Sequence, residues 1–112
     1  MSREEAIIQG EIVKCLYLQG VVCFSVPNES AGGGRGAMIR MKQYKAMGLL
    51  PGAPDLVALM PHGTVTFLEV KTTTGRQSKN QKTFQDIAQR HGLRYCLVRS
   101  VEDVVDIIEG RV

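Results

Sequence analysis

Tryptophan is absent from this sequence, aromatic residues make up 5% of it, and only two histidines and three cysteines occur in 112 residues. Each scarcity excludes something. Cys15, Cys23 and Cys96 lie in apolar runs, share no C-x-x-C or other metal-ligand spacing, and are odd in number. A disulfide framework is therefore excluded, and the thiols read as reduced, buried small hydrophobes. His62 and His91 stand apart, in an expected loop and an expected helix end, which leaves a zinc site nothing to build on. No apolar stretch approaches the roughly 20 residues that span a bilayer, so no membrane partner is expected. The opening MSREEAIIQGEIVKCL lacks a secretory layout, because acidic residues interrupt it before an apolar run can form.

Acidic residues are also scarce in the middle of the chain. Between Arg35 and Arg94 there are ten cations (35, 40, 42, 45, 71, 76, 79, 82, 90, 94) against three acids (55, 69, 86), although the formal net charge is only +3. The compensating acids sit at the ends, at 4, 5 and 11 and at 102, 103, 106 and 109. A basic middle with acidic ends fits a surface that meets a polyanion, and on charge alone it equally fits a solvated mixed surface.

Length and the lack of any repeat or linker predict one domain, residues 1–112. Apolar residues at 7, 8, 12, 15, 16 and 18 predict a helix over 3–19, ended by Gly20. VVCFSV (21–26) reads as a buried strand that stops at Pro27, and NESAGGGRG (28–36) as a flexible loop. Residues 37–48 have helical character, with Met38, Met41, Tyr44 and Ala46 as inward candidates. LLPGAP then breaks the chain. DLVALM (55–60) and TVTFLEV (64–70) read as strands of an antiparallel hairpin turned at PHG. A polar loop, TTTGRQS, precedes a helix over 78–91 capped by Ser78, with Phe84, Ile87 and Ala88 inward. A strand (94–100) and an amphipathic helix (101–110) finish the chain. The order αβ(α)ββαβα predicts an α/β fold, a mixed sheet flanked by helices.

Three charges interrupt the hairpin strands. Asp55 opens the first, and Glu69 and Lys71 end the second. Alternation puts Glu69 and Lys71 on one face with Val70 on the other, and antiparallel pairing brings Asp55 opposite them. Taken singly, each has a plain explanation, a turn cap or a surface ion pair. Together, two converging carboxylates repel each other unless a cation sits between them. A hard divalent ion, Mg²⁺ or Mn²⁺, suits such oxygen ligands. Lys71 beside them could hold a phosphate oxygen, orient a water, or stabilise the charge that develops in phosphoryl transfer.

The helix EEAIIQGEIVKCLYLQG, the stretch MGLLPGAPDLVAL, the block FLEVKTTTGRQSKNQKTF and the closing YCLVRSVEDVVDII occur in the order found in one nuclease family. The sequence resembles the virus-type replication-repair nuclease (VRR-NUC) domain of the PD-(D/E)XK superfamily, over nearly its whole length. The resemblance implies a restriction-endonuclease-like core. It implies that Asp55 and Glu69 ligate a catalytic metal, that the Val70 carbonyl completes the site, and that Lys71 is the catalytic lysine. Gln81, in S-K-N-Q, matches a family glutamine. From the first turn of its helix it could hydrogen-bond a phosphate or a water. The first helix supplies a glutamate in this family. Registering IIQGEIVKCL on the family's I-Q-x-x-I pattern favours Glu5, with Glu4 and Glu11 as alternatives. Glu11 lies about one and two-thirds turns from Glu5 and faces elsewhere.

For a phosphodiesterase the backbone contacts would come from Arg35, Arg40, Lys42 and Lys45 before the Gly-Pro break, and from Arg76, Lys79 and Lys82 around Gln81. The glycine-rich 32–36 segment could close on substrate. No base-reading motif is present, which favours recognition of DNA shape. Small stand-alone domains of this kind resemble Holliday junction resolvases that act as homodimers. The resemblance therefore implies branched DNA as partner, a dimer, and the cytoplasm of a bacterial or phage-infected cell. An idle binding or assembly module on the same fold is the competing expectation, and the intact Asp55, Glu69, Lys71 and Gln81 argue against it. An unrelated α/β protein with structural charges is a third.

Overall fold

The computed structural model describes residues 1–27 and 33–112. Helix α1 (Arg3–Leu18) starts at Ser2, whose hydroxyl accepts from the Glu5 N–H, and Glu4 and Glu5 in its first turn face the positive end of the helix dipole. Strand β1 (Val22–Ser25) and helix α2 (Ala37–Ala46) follow. Strand β2 (Leu56–Leu59), a one-turn 3₁₀ segment (Pro61–Gly63) and strand β3 (Val65–Val70) form the hairpin. Helix α3 (Lys79–Arg90), strand β4 (Arg94–Val98) and helix α4 (Val101–Ile108) complete the chain, in the expected order.

The four strands make one mixed sheet in the order β1-β2-β3-β4. Pairing is antiparallel across β1–β2 and β2–β3, with Leu56 opposite Leu68, and parallel across β3–β4, with Glu69 opposite Leu97. The parallel step needs a crossover, and α3 provides it. Alternation then assigns the two faces. Leu56, Ala58, Leu68, Val70 and Val98 point to one side and join Ile12, Leu16, Val104 and Ile107 of α1 and α4 in the core. Phe67 and Tyr95 point to the other side, where both rings meet Phe84 of α3 with centroids 5.4 and 6.0 Å away. Asp55, Glu69 and Lys71 fall in register with this second face, under the start of α3.

Several expectations are corrected. The strand expected to be buried, β1, is a sheet edge with Val22 63% and Phe24 52% exposed, because only β2 pairs with it and α1 covers only one face. Met38 and Ala46 point outward, while Met41 and Tyr44 are half-buried, and α2 has no fully buried side chain. Ile87 is exposed, since the inward stripe of α3 runs through Gln81, Phe84, Gln85 and Ala88. The three cysteines are free but half-buried rather than buried. The part of the expected flexible loop at 28–32 lies outside the described residues.

Candidate active site

The site is built where β2 begins and β3 ends. The Asp55 N–H donates to the Leu68 carbonyl at 3.1 Å, while the Val70 N–H donates to Asp55 Oδ2 at 2.7 Å. Asp55 is thus fastened to β3 twice, once through its own N–H and once through its carboxyl. Glu69 is 1% exposed, an unusual position for a carboxylate, which is seldom fully buried without partners. Its partners are specific. Tyr95 Oη donates to Oε1 at 3.2 Å, Gln81 Nε2 donates to Oε2 at 2.7 Å, and Lys71 Nζ stands 3.8 Å from Oε2.

These contacts do not offset the desolvation. Burial first, and then the neighbouring charge of Asp55 and a hydrogen bond between the two carboxyls, push Glu69 up from 4.5 to about 8; Lys71 and Tyr95 pull the other way and lose. The folded chain therefore holds a proton on Glu69 between pH 4.5 and about 8 that the unfolded chain releases. The stability this contributes is complete below pH 4.5 and is lost as pH rises toward 8. In EDTA the melting temperature is expected to fall across that window, and Glu69→Gln, which cannot ionise, should flatten the fall. An unchanged slope in the variant would refute the assignment.

Gln81 is held in one orientation by its own helix. Its Oε1 accepts from the Ser78 N–H at 2.8 Å while the Ser78 hydroxyl accepts from the Gln81 N–H, a reciprocal capping box. With the amide oxygen so engaged, the amide nitrogen is the end that reaches Glu69. Glu5 lies across the tip of the sheet, with Oε2 4.0 Å from Lys71 Nζ. Lys71 therefore sits between two carboxylates, and Glu5 reaches the cluster through it. Glu4 and Glu11 are exposed. Among the described residues there is no group of three or more His, Cys, Asp or Glu side chains that could hold a metal ion. The oxygen donors gathered at one point are the Asp55 and Glu69 carboxyls. This pair suits a hard cation: both ligands are oxygens, and a divalent ion would offset the burial and the Asp55 charge that raise Glu69.

Among the expected phosphate contacts, Arg35, Lys42, Lys45, Arg76, Lys79 and Lys82 are exposed, and no ion pair among the described residues involves them. Arg40 is turned back on its own chain, donating to the carbonyls of Arg35 and Gly33 at 3.2 and 3.0 Å.

Four residues escaped the sequence reading. Tyr95, 7% exposed, carries the hydroxyl on Glu69 and accepts in turn from Gln77 Nε2 at 3.3 Å, which also reaches Gln85 Oε1 at 2.9 Å. Burial and the Glu69 charge raise its phenol further, so it stays a neutral donor. Its only signal was a polar tip in an apolar strand. Arg99 gave no signal: its guanidinium donates to the carbonyls of Thr72, Thr73 and Gly75 and pins the turn between Lys71 and α3. Gly52 stands in the left-handed region (φ 88°) against the first turn of α3, where a Cβ would lie 2.3 Å from the Asn80 carbonyl oxygen. Gln9, one turn beyond Glu5, has a buried Oε1 with no hydrogen-bond partner among the described residues.

A mixed sheet with a βαβ crossover, carrying an acid–acid–lysine cluster at the end of its third strand, is the core of a PD-(D/E)XK-type nuclease. The chain belongs to the VRR-NUC domain family, whose model matches residues 4–102. Two solved structures share the fold. One, a VRR-NUC domain, is 20% identical with a TM-score of 0.70, over 99% of this chain and 100% of that one. The other, a VRR-NUC domain protein, is 14% identical with a TM-score of 0.72, over 100% of this chain and 90% of that one. At these identities the likeness speaks for the fold alone. No curated protein matches. The family is nuclease-type, and no helix among the described residues is long and apolar enough to cross a membrane.

Proposed function

We propose that the protein is a metal-dependent endodeoxyribonuclease that hydrolyses phosphodiester bonds in branched DNA. The observation that carries this reading is the burial of Glu69 among Asp55, Lys71, Gln81 and Tyr95 at the open end of the sheet. In this reading Asp55 and Glu69, with the Val70 carbonyl and with Glu5 at its edge, hold Mg²⁺ or Mn²⁺. That ion supplies Lewis-acid activation of water and of the phosphoryl oxygens when bound. Lys71, held between Glu69 and Glu5, faces a phosphate oxygen and stabilises the charge that develops on it. Gln81 orients the Glu69 carboxyl through one amide hydrogen, and the second hydrogen of the same nitrogen can meet a water or a phosphate. Arg35, Lys42, Lys45, Arg76, Lys79 and Lys82, with Arg40 shaping the loop before α2, carry the DNA backbone without reading sequence.

Pairing of two copies would give two such centres for paired nicks on a four-way junction. The exposed Tyr17, Leu18, Val22 and Phe24 offer apolar surface for it. The corresponding location is the cytoplasm of a bacterial or phage-infected cell. The test is a nicking assay on four-way junctions, flaps and linear duplex with Mg²⁺ or Mn²⁺, alongside gel filtration. Cleavage of branched substrates by a dimer is expected. Binding without cutting under either metal would instead favour the idle module, and a monomer at high concentration would remove the paired-nick reading.

Tyr95 supplies a second test of the metal reading. Partners that orient a ligand are worth roughly 10- to 100-fold in metal affinity. Tyr95→Phe keeps the ring against Phe84 but drops the donor on Glu69. Its Mn²⁺ affinity by calorimetry is expected to fall about 10-fold. Unchanged affinity would refute the role.

A further inference from the structure

Beside the candidate centre lies a second feature that the cleavage chemistry does not use. Between the end of α2 and the chain that leads into Asp55 is an apolar cleft of about 370 Å³, walled by Val26, Pro27, Tyr44, Met47, Leu50 and Ala53. Its size falls in the roughly 300–1,000 Å³ range of small-molecule sites. Tyr44 is held by the helix end, where the Leu49 N–H donates to the Tyr44 carbonyl at 2.8 Å and Gly48 takes a left-handed φ of 103°. The far wall is fastened to the site: the Val26 N–H donates to the Asp55 carbonyl at 3.0 Å, and Ala53 lies two residues before Asp55.

The core does not consume this apolar surface. Helix α2 has no fully buried side chain, Tyr44 is half-buried, and Met47 and Leu50 are 79% and 53% exposed. The segment that supplies Tyr44, Met47 and Leu50 is basic. From Gly33 to Pro54 the sequence has Arg35, Arg40, Lys42 and Lys45 and no acid, and Lys42 and Lys45 are exposed on the helix that carries Tyr44. A second copy of this chain docked here about a two-fold axis would set the same cations against each other. A flat apolar ring joined to an anionic backbone meets both the cleft and its rim.

We propose that this cleft receives an unpaired nucleobase, stacked on Tyr44, from the nucleotide next to the phosphodiester held at Asp55 and Glu69. The proposal rests on the DNA-cleaving reading above and adds to it a reason for preferring branched DNA. A base at the crossover of a branch has a weakened stack on one side, so extracting it costs less than the few kcal/mol needed inside a duplex. Stacking on an aromatic side chain is insensitive to base identity, because every base has a π-face.

The test is binding of the full chain in EDTA, by fluorescence anisotropy. The probes are a four-way junction, the same junction with single abasic nucleotides placed at and beside the crossover, and a fully paired linear duplex. Tyr44→Ala is expected to weaken junction binding about 5- to 100-fold, in line with the loss of one base–aromatic stack. Duplex binding should stay unchanged, and Tyr44→Phe should bind like wild type. One abasic position should weaken wild type to the level of Tyr44→Ala and have no effect on that variant. If alanine does not fold at this position, Tyr44→Leu keeps apolar volume without the ring and should show the same loss. Equal losses on junction and duplex, or no abasic position that couples to Tyr44, would overturn the proposal. The two readings fail separately. A wild type that cuts branched DNA with Tyr44→Ala unimpaired overturns the cleft alone. One that shows the Tyr44 coupling but never cuts overturns the nuclease reading alone, and a chain that binds no DNA overturns both.

Discussion

Replacing Lys71 by alanine is expected to lower phosphodiester cleavage about 10²- to 10³-fold, as for removal of one preorganised group that stabilises transition-state charge. Asp55→Asn and Glu69→Gln should cost at least as much, because a metal contributes several kcal/mol to such a reaction and each variant removes a ligand charge. The pattern across the three should differ in a way the geometry dictates. Lys71 is 12% exposed and held 3.8 and 4.0 Å from Glu69 and Glu5. Removing it leaves two carboxylates without their cation but leaves the Asp55–Glu69 pair in place. Lys71→Ala should therefore bind Mn²⁺ at least as well as wild type while failing to cut. Asp55→Asn should lose both binding and cutting, and so should Glu69→Gln. Quantified nicking on a four-way junction and Mn²⁺ calorimetry on the same preparations read out the two quantities. Wild-type cleavage by any of the three variants would remove that residue from the site.

Gly52→Ala should be the most damaging change outside the charged cluster. The added Cβ would stand 2.3 Å from the Asn80 carbonyl oxygen and 2.8 Å from the Gln81 nitrogen, and both are helix backbone that cannot rotate away. The φ of 88° adds the left-handed penalty that only glycine escapes. Roughly 1–2 kcal/mol of strain and 1–3 kcal/mol of overpacking sum to about 3 kcal/mol. For a domain of this size that is a drop of about 10–20 °C in melting temperature. The contact joins the turn before Asp55 to the turn that presents Gln81. Any variant that relieves the clash by moving α3 should also lengthen the 2.7 Å bond between Gln81 and Glu69 and reduce cleavage beyond the loss of folded protein. Thermal melting and the specific activity of the folded fraction measure the two parts. A melting temperature within a few degrees of wild type would show that α3 is not seated against this glycine.

Much of this architecture is legible in one dimension because it depends on local rules. Ser78 and Gln81 announce a helix start by their three-residue spacing, and that spacing is what closes the capping box. The β2–β3 hairpin follows from two β-rich runs and the Pro-His-Gly turn between them. The alternation within T-V-T-F-L-E-V already puts Glu69 and Phe67 on one face. The misreadings share one cause. Apolar residues in β1 and α2 look like core by composition, but burial depends on what lies above them. Phe24 lies on a sheet edge, and none of the described residues covers Met38.

The sequence by itself determined the order of elements and the convergence of Asp55, Glu69 and Lys71, because side-chain periodicity and turn chemistry are properties of neighbours along the chain; the family and the candidacy of Gln81 came with the resemblance of its motifs. Only the tertiary structure decided that Glu69 is buried and its carboxyl raised to about 8, that Tyr95 and Gln81 hold its two oxygens, that Glu5 reaches the cluster through Lys71, and that Gly52 seats α3. Each of these joins residues from different elements, as Tyr95 meets Glu69 across 26 positions. Desolvation and close approach are set by packing in three dimensions, and no local pattern in the chain encodes them.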